Sequence, residues 1–180
     1  MAFITRKKKS LNDTPTDFPE IKNGEDLISF AQDKGIEVSP LDLPKLTQHL
    51  GIAMLLEPMK DEESGSLSKD KKGNWIMKVN SLHHPNRQRF TISHELGHFI
   101  KHRAIHNTFK DSTFFRNNES NYIEVEANKF AAELLMPKQI FDTYIQNVSS
   151  KVEDIAKHFQ VSSMAVRIRA KELNYLGHQV

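Results

Sequence analysis

Two histidines and a glutamate near the middle of the chain have the types and spacing of a metal site that can activate water. His94, Glu95 and His98 form the pattern H-E-x-x-H. On a helix, residues four apart lie about one turn apart on the same face, so both imidazoles can reach one ion. Glu95 then flanks the ion, and its carboxylate can take a proton from water on the metal. The simpler alternative is an exposed amphipathic helix with incidental histidines.

The surrounding residues predict the helix that would carry this motif. Ile92, Leu96 and Phe99 recur at helical spacing, and the two histidines lie on the neighbouring stripe. Such a helix can bury one face in a core and present the other face to a cleft. Thr91 and Ser93 are predicted to be early capping residues of this helix.

A third metal ligand is predicted on a later helix, because a catalytic zinc site usually has three protein ligands and one open position. Glu124 is the better candidate, since Asn128 follows on the same helix face and its amide oxygen could accept from a ligating histidine. Glu126 is a rival ligand, although it falls nearly opposite that face. Asn121, three residues before Glu124, also leaves open a capping box as the role of this glutamate.

Two further histidines, His102 and His106, continue the four-residue spacing of the motif. A helix rises about 1.5 Å per residue, so His102 lies about 12 Å along the axis from His94 and cannot share one ion with it. The extended motif with a third histidine ligand would need glycine at 101 and histidine at 104, where this chain has Lys101 and Ala104. We therefore expect both histidines at the surface or behind the metal ligands.

The composition limits the classes of protein to consider. The chain has 180 residues, 38% of them apolar, which suits one compact domain with a small appended subdomain. It has no cysteine, which excludes thiol catalysis, disulfides and cysteine-ligated zinc. The net charge of +2 is too small to indicate nucleic acid or a membrane as partner. No apolar run is long enough for a membrane helix or follows the basic residues near the N-terminus as a secretory signal would, so we expect a cytoplasmic protein.

Periodicity and turn signals predict an α+β fold with three parts. These are a flexible tail (1–22), a main domain with N-terminal helices (23–148) and a C-terminal helix-turn-helix-like subdomain (149–180). Within them we predict helices at 25–34, from Asp42 with Pro44 in its first turn, at 121–136 and twice within 151–173, and strands at 52–56, 64–68 and 74–79.

The three strands are predicted to form a small antiparallel sheet, with a hairpin through residues 69–73. This sheet would pack with the motif helix and with the second, ligand-bearing helix. Residues 107–120 are predicted to be a flexible loop, in which Phe109, Phe114 and Phe115 would be core anchors.

Several segments of the chain resemble the ImmA/IrrE family of metallo-endopeptidase-like proteins. The resemblance lies in RQRFTISHELGH at 87–98 and EVEANKFAAELLMP at 124–137, and it extends to IAKHFQVS at 155–162 and to Arg167–Arg169. It covers about residues 25–176. The family implies a zincin-like fold and one zinc ion, with His94, His98 and Glu124 as ligands and Glu95 as general base.

The family also implies a regulatory protease. Its members resemble regulators that act on helix-turn-helix repressors of mobile elements, phages or stress responses, and several relieve repression by cleaving the repressor. We therefore expect a protein substrate of this kind, with zinc-assisted hydrolysis of a peptide bond. Tyr122, His83 and His84 are candidates for stabilising the oxyanion.

Two other functions are consistent with the sequence. The C-terminal helix pair has Ser162, Ser163, Arg167 and Arg169, which are residue types suited to phosphate and base contacts in DNA. The short pair and the small net charge instead favour packing on the core or docking of a partner. A non-catalytic regulator with structural zinc is the second alternative, although a structural site has no need of Glu95.

Overall fold

The computed structural model describes residues 21–104, 108–112 and 118–175. Within these ranges the fold is α+β, as predicted, with a four-stranded sheet and seven helices. The strands are β1 (Ala53–Glu57), β2 (Glu63–Lys69), β3 (Trp75–Asn80) and β4 (Thr108–Ser112), and their order in the sheet is β1-β3-β2-β4.

The predicted hairpin joins β2 and β3, which pair antiparallel. Its turn is stabilised by Asp70, whose carboxylate accepts hydrogen bonds from the backbone nitrogens of Lys72 at 2.7 Å and Asn74 at 2.9 Å. Gly73 lies in the left-handed region with φ of +86°, which a residue without Cβ adopts readily. The hairpin prediction is confirmed.

The prediction of an antiparallel sheet is wrong for β1, which runs parallel to β3. The chain leaving β1 passes around the C-terminal end of β3 and enters β2 on the far side of it. The buried side chain of Asn80 fixes this crossover: its amide oxygen accepts from Met59 N at 3.2 Å, and its amide nitrogen donates to Glu63 O at 2.8 Å. The sheet is therefore mixed, and the amide of Asn80 holds both ends of the connection to the end of β3.

The segment predicted as a flexible loop contains the edge strand β4, which pairs antiparallel with β2. The prediction was wrong for these five residues because their polar composition carries no strand signal, whereas β2 presents a free edge to them. Residues 113–117, including Phe114 and Phe115, lie outside the described residues, as does the side chain of Phe109.

Both predicted N-terminal helices are present, and the second begins at its predicted cap. Helix α1 (Gly24–Asp33) has Asn23 as N-cap, in a capping box with Asp26. Helix α2 (Leu43–His49) has Asp42 as N-cap, with proline in its first turn. Both predicted helices are confirmed, with boundaries within one residue for α1.

The motif helix α3 (Pro85–His102) begins well before the predicted caps. His84 is its N-cap and Pro85 occupies the first turn, a position that tolerates proline because no intrahelical donor is needed there. Thr91 and Ser93 lie in the middle of α3 and are buried, so their predicted capping role is wrong. The predicted apolar stripe of α3 is buried, and Phe99 packs edge-on against Trp75 at 5.6 Å between ring centroids.

The second long helix, α4 (Asn118–Leu135), also begins earlier than predicted. Asn121 therefore lies inside the helix and is not an N-cap, so Glu124 is not part of a capping box. Ala127, Phe130 and Leu134 are buried along the predicted core stripe. Glu124 is thus left on a face that meets α3.

Three further helices complete the described chain: α5 (Lys138–Asn147), α6 (Val152–Phe159) and α7 (Ser163–Glu172). Between α6 and α7, Gln160 is left-handed with φ of 54°, and Ser162 caps α7 by accepting from Ala165 N at 3.1 Å. Apolar residues of α6 and α7 belong to the same hydrophobic cluster as those of α3 and α4. Across the described ranges, every helix is too short or too polar to span a bilayer.

Candidate metal centre

Three side chains meet where α3 and α4 pack together. The Nε2 atoms of His94 and His98 lie 2.9 Å apart. The carboxylate of Glu124 places one oxygen 3.0 Å from His94 Nε2 and the other 3.3 Å from His98 Nε2. Both histidines are buried, at 3% and 1% exposure. The structure thus brings together the three residues predicted as ligands from two helices.

These three residues fit a divalent metal ion of the zinc type. Ligand bonds of about 2.0–2.2 Å in a tetrahedral site place neighbouring ligand atoms roughly 3.3–3.6 Å apart. The observed separations of 2.9–3.3 Å are close to that spacing. Two imidazole nitrogens and one carboxylate oxygen form a known donor set of catalytic zinc, which leaves a fourth position for water or substrate.

The electrostatics of the cluster favour the protonation states that a metal requires. Burial raises the pKa of Glu124, but the adjacent imidazoles of His94 and His98 outweigh it and bring that pKa down to about 2. Burial lowers the pKa of His98, which keeps its imidazole neutral more readily. A carboxylate and neutral imidazoles are the forms that bind metal ions.

His94 is oriented by Asn128, as the sequence predicted. Its Nδ1 lies 2.9 Å from the amide oxygen of Asn128. An amide oxygen only accepts, so Nδ1 of His94 carries the proton and donates it, and Nε2 keeps its lone pair for the metal. Glu124 and Asn128 are one turn apart on α4, which is why one helix face serves both purposes.

Gly97 allows α3 and α4 to approach closely enough for this geometry. A Cβ atom built on Gly97 would lie 3.1 Å from the Cα atom of Ala127 and 3.3 Å from the Cβ atom of Phe130. These separations are tighter than most real Cβ contacts, so a larger residue would push the helices apart. The glycine of the motif therefore sets the distance from the two histidines to Glu124.

We expect Gly97→Val to lower the free energy of unfolding by about 1–3 kcal/mol, because it overpacks a filled helix contact. It should also weaken binding of a metal ion, since the candidate ligands come from both helices. Urea denaturation and chelator competition measure the two effects. Gly97→Ala adds only the Cβ atom and should have smaller effects. Wild-type stability and affinity in Gly97→Val would contradict the role assigned to this contact.

Glu95 is completely buried at the contact between α3 and β2. A Cβ atom built on Gly65 of β2 would lie 3.5 Å from Glu95 Oε1, 2.5 Å from Thr91 Cγ2 and 2.8 Å from the backbone oxygen of Lys78. Only glycine fits this position without movement of the strand or the helix. The sheet therefore packs directly against the predicted general base.

Glu126, the predicted rival ligand, lies outside the three-residue cluster. Its carboxylate contacts Lys101 Nζ at 3.0 Å and His102 Nε2 at 3.1 Å. His102 is buried at 4% exposure, so the first of its two predicted positions, at the surface, is wrong. It instead lies behind His98, with 3.1 Å between their Nδ1 atoms. His106 lies outside the described residues.

The three candidates for oxyanion stabilisation have different surroundings. Tyr122 is 69% exposed on α4, two residues before Glu124. His84 caps α3 by accepting from Asn86 N at 3.2 Å. His83 lies 3.4 Å from the side-chain amide of Asn80. The oxyanion role stays a prediction for all three.

An apolar groove of about 830 Å³ lies beside the cluster, between α3, α4 and α7. Asn128 and Phe90 belong to its lining, and the ring of Phe90 lies 6.5 Å from that of His94. Exposed apolar residues line it as well, at 58%, 64% and 51% exposure: Val125, Met164 and Ile168. Sequence reasoning missed this groove, although Met164 and Ile168, four apart on a charged helix, are a weak signal of it.

The C-terminal helix pair packs on the core, and one of its two named arginines is buried. Arg169 is 4% exposed and donates from Nε to Met136 O at the end of α4, at 3.1 Å. It also pairs with Glu172 at 3.2 Å. Arg169 is therefore not available for the DNA contact that the less favoured alternative gave it, whereas Arg167 is exposed. Packing of the pair on the core, the favoured expectation, is confirmed by these contacts.

Comparison with known proteins assigns the class. Residues 47–171 match the profile of the Peptidase M78 family, described as the IrrE N-terminal-like domain. The chain belongs to this family, and the resemblance predicted from its motifs is confirmed. At the level of the family this is a metallopeptidase class.

Individual relatives are similar over most of their length. The chain is 33% identical over 113 residues to the uncharacterized immunity region protein 2 of Bacillus phage phi105, covering 62% of this chain and 68% of the phage protein. It is 29% identical over 124 residues to metallopeptidase ImmA of Bacillus subtilis strain 168, covering 66% and 69% of the two chains.

A solved structure shares the fold at lower identity. It is described as a Mycobacterium tuberculosis transcriptional regulator, with a TM-score of 0.61 and 16% identity over 87% of this chain. The match covers 48% of that regulator, so this chain corresponds to about half of its length. At this identity the likeness concerns the fold alone.

Proposed function

We propose that this chain is a zinc-dependent endopeptidase that cleaves a helix-turn-helix repressor or an antitoxin-type regulator and thereby relieves repression. The observation that carries the proposal is the meeting of His94, His98 and Glu124 around one point, with Glu95 next to the first histidine on the same helix. The family and the printed name of the Bacillus subtilis relative support a peptidase.

In this proposal His94, His98 and Glu124 hold the ion. Zinc bound there would polarise the scissile carbonyl and lower the pKa of a water molecule towards about 7. Glu95 would accept a proton from the attacking water and deliver it to the leaving nitrogen. Asn128 would keep His94 in the tautomer that presents Nε2. Each residue then has one task in hydrolysis of a peptide bond.

A protein substrate suits the surroundings of the cluster. The groove between α4 and α7 can take apolar side chains next to the scissile bond. Among the described residues, the edge strand β4 is paired on one side only, and it adjoins β2, which contacts the region of Glu95. An extended substrate could add to this edge and gain main-chain hydrogen bonds. The immunity-region relative supports a regulatory protein as the target.

The competing function is a protein-binding or DNA-binding regulator whose zinc is only structural. Such a protein needs no carboxylate at position 95, next to the first histidine of the cluster. The burial of Arg169 removes one of the predicted DNA contacts. Proteolysis is therefore the function that the site supports best.

A test in cells compares new protein N-termini by mass spectrometry after expression of the wild type or of a His94→Ala/His98→Ala variant. We expect a helix-turn-helix protein to be cut only with the wild type, because the variant lacks both imidazole ligands. Identical sets of N-termini would contradict the proposed protease. Cleavage of a protein of another class would support the proposed protease activity and refute only the repressor as its substrate.

A further inference from the structure

Behind His98, a line of hydrogen-bonding groups leads away from the candidate metal centre. His98 Nδ1 lies 3.1 Å from His102 Nδ1, and His102 Nε2 lies 3.1 Å from Glu126 Oε2. His98 and His102 are one turn apart on α3, and Glu126 comes from α4. Both imidazoles are buried, at 1% and 4% exposure, so these contacts form away from bulk water.

The chemistry of the three groups fixes the direction of the hydrogen bonds. The Oε2 atom of an ionised Glu126 only accepts, so Nε2 of His102 must carry the proton and donate it. In a neutral imidazole the other nitrogen then has a lone pair, and Nδ1 of His102 accepts. Nδ1 of His98 must therefore donate, which leaves the lone pair of His98 on Nε2.

That lone pair points to the place where the ion would bind. His98 Nε2 is the atom that lies 2.9 Å from His94 Nε2 and 3.3 Å from Glu124. The opposite direction of the line would put the proton of His98 on Nε2, where the ion would bind, and with a neutral His102 it would also put a lone pair against the carboxylate of Glu126. Both consequences are unfavourable, so Glu126 selects the tautomer of a histidine two contacts away.

We propose that His102 and Glu126 are positioning residues that fix the tautomer and ring orientation of His98 for metal binding. This inference rests on the metal site of the proposed function. Asn128 has the equivalent contact to His94, so each of the two histidines is oriented by a residue behind it. Loss of such a contact typically weakens metal binding about 10–100-fold.

The test measures the zinc dissociation constant by chelator competition for two replacements of His102. His102→Leu removes the acceptor, and we expect affinity to fall about 10–100-fold. His102→Asn places an amide oxygen near the position of Nδ1, so it should keep affinity within about threefold of the wild type. A purely structural role predicts the opposite order, because leucine suits a buried apolar position better than asparagine does.

Stability and a control variant separate the two roles. Urea unfolding of the metal-free proteins gives the stability of each variant, which should not follow the order of zinc affinities. Glu126→Gln should weaken zinc binding less than His102→Leu, because its amide oxygen can still accept. Glu57→Gln removes a carboxylate from a comparable lysine pair, with Lys78 at 2.8 Å on the sheet, and should leave affinity unchanged.

Each outcome decides the inference. Loss with leucine and retention with asparagine support it. Equal affinities in all variants, or losses that follow the loss of stability, overturn the positioning role while the metal site stands. If the wild type itself binds no zinc after metal-replete purification, both the metal site and this inference are refuted.

Discussion

Replacing Glu95 with glutamine is expected to leave zinc binding intact and to lower the rate of substrate cleavage by about 10²–10⁴-fold, the range that a general base contributes. Glutamine has nearly the same volume as glutamate, so it should fit the buried site at the contact with β2. Its amide cannot take up a proton from water. The loss should therefore appear in kcat, with zinc content of about one per chain.

The measurement uses the cleaved protein identified in cells, with wild-type and Glu95→Gln enzyme purified in parallel and zinc determined by elemental analysis. Glu57→Gln is the matched control, because it makes the same substitution at the far edge strand β1. Its cleavage rate should equal that of the wild type. Full activity of Glu95→Gln would refute Glu95 as the base, and loss of zinc from it would point to a structural effect instead.

Replacing Glu124 with alanine is expected to lower zinc affinity on the order of 10²–10³-fold. Structural zinc sites contribute roughly 10–16 kcal/mol in total, which corresponds to about 2.5–4 kcal/mol for each of four ligands. Glu126→Ala should weaken binding less, because Glu126 contacts His102 and Lys101 and lies outside the cluster of three. Chelator competition on both variants compares the two glutamates directly.

The loss of the Glu124 carboxylate should also change how strongly zinc raises the Tm. A ligand at 100 times its dissociation constant stabilises the folded state by about 2.7 kcal/mol. Wild-type protein should therefore show a higher Tm with zinc than with a chelator, and Glu124→Ala should show a much smaller difference. If zinc stabilises Glu124→Ala as strongly as the wild type and fails to stabilise Glu126→Ala, the assignment of the third ligand is wrong.

The candidate metal centre was largely predictable because its information is local. His94, Glu95 and His98 lie within two turns of one helix, where spacing alone gives their direction. Glu124 could be preferred over Glu126 because Asn128 shares its face. Both inferences need only the period of a helix and the ligand number of zinc. The contact of His102 with Glu126 could not be predicted in this way, since it depends on how α3 and α4 cross.

The course of the sheet was not predictable for a different reason. Strands β2 and β3 are joined by a short turn with a clear signal, whereas β1 reaches its partner through a crossover fixed by the buried amide of Asn80. Nothing in the local pattern distinguishes parallel from antiparallel pairing there. The helix starts were misjudged similarly, because His84 and Pro85 begin α3 without one of the preferred capping residues.

The groove brings together residues that have different tasks in the proposed function. Its α4 side includes Asn128, which contacts His94, whereas its α7 side includes the exposed apolar residues Met164 and Ile168. In the proposed protease, substitutions on α7 would change which protein is recognised and leave the residues assigned to hydrolysis unchanged. The specificity of such an enzyme could then be redirected through one helix, without any change to the histidine motif.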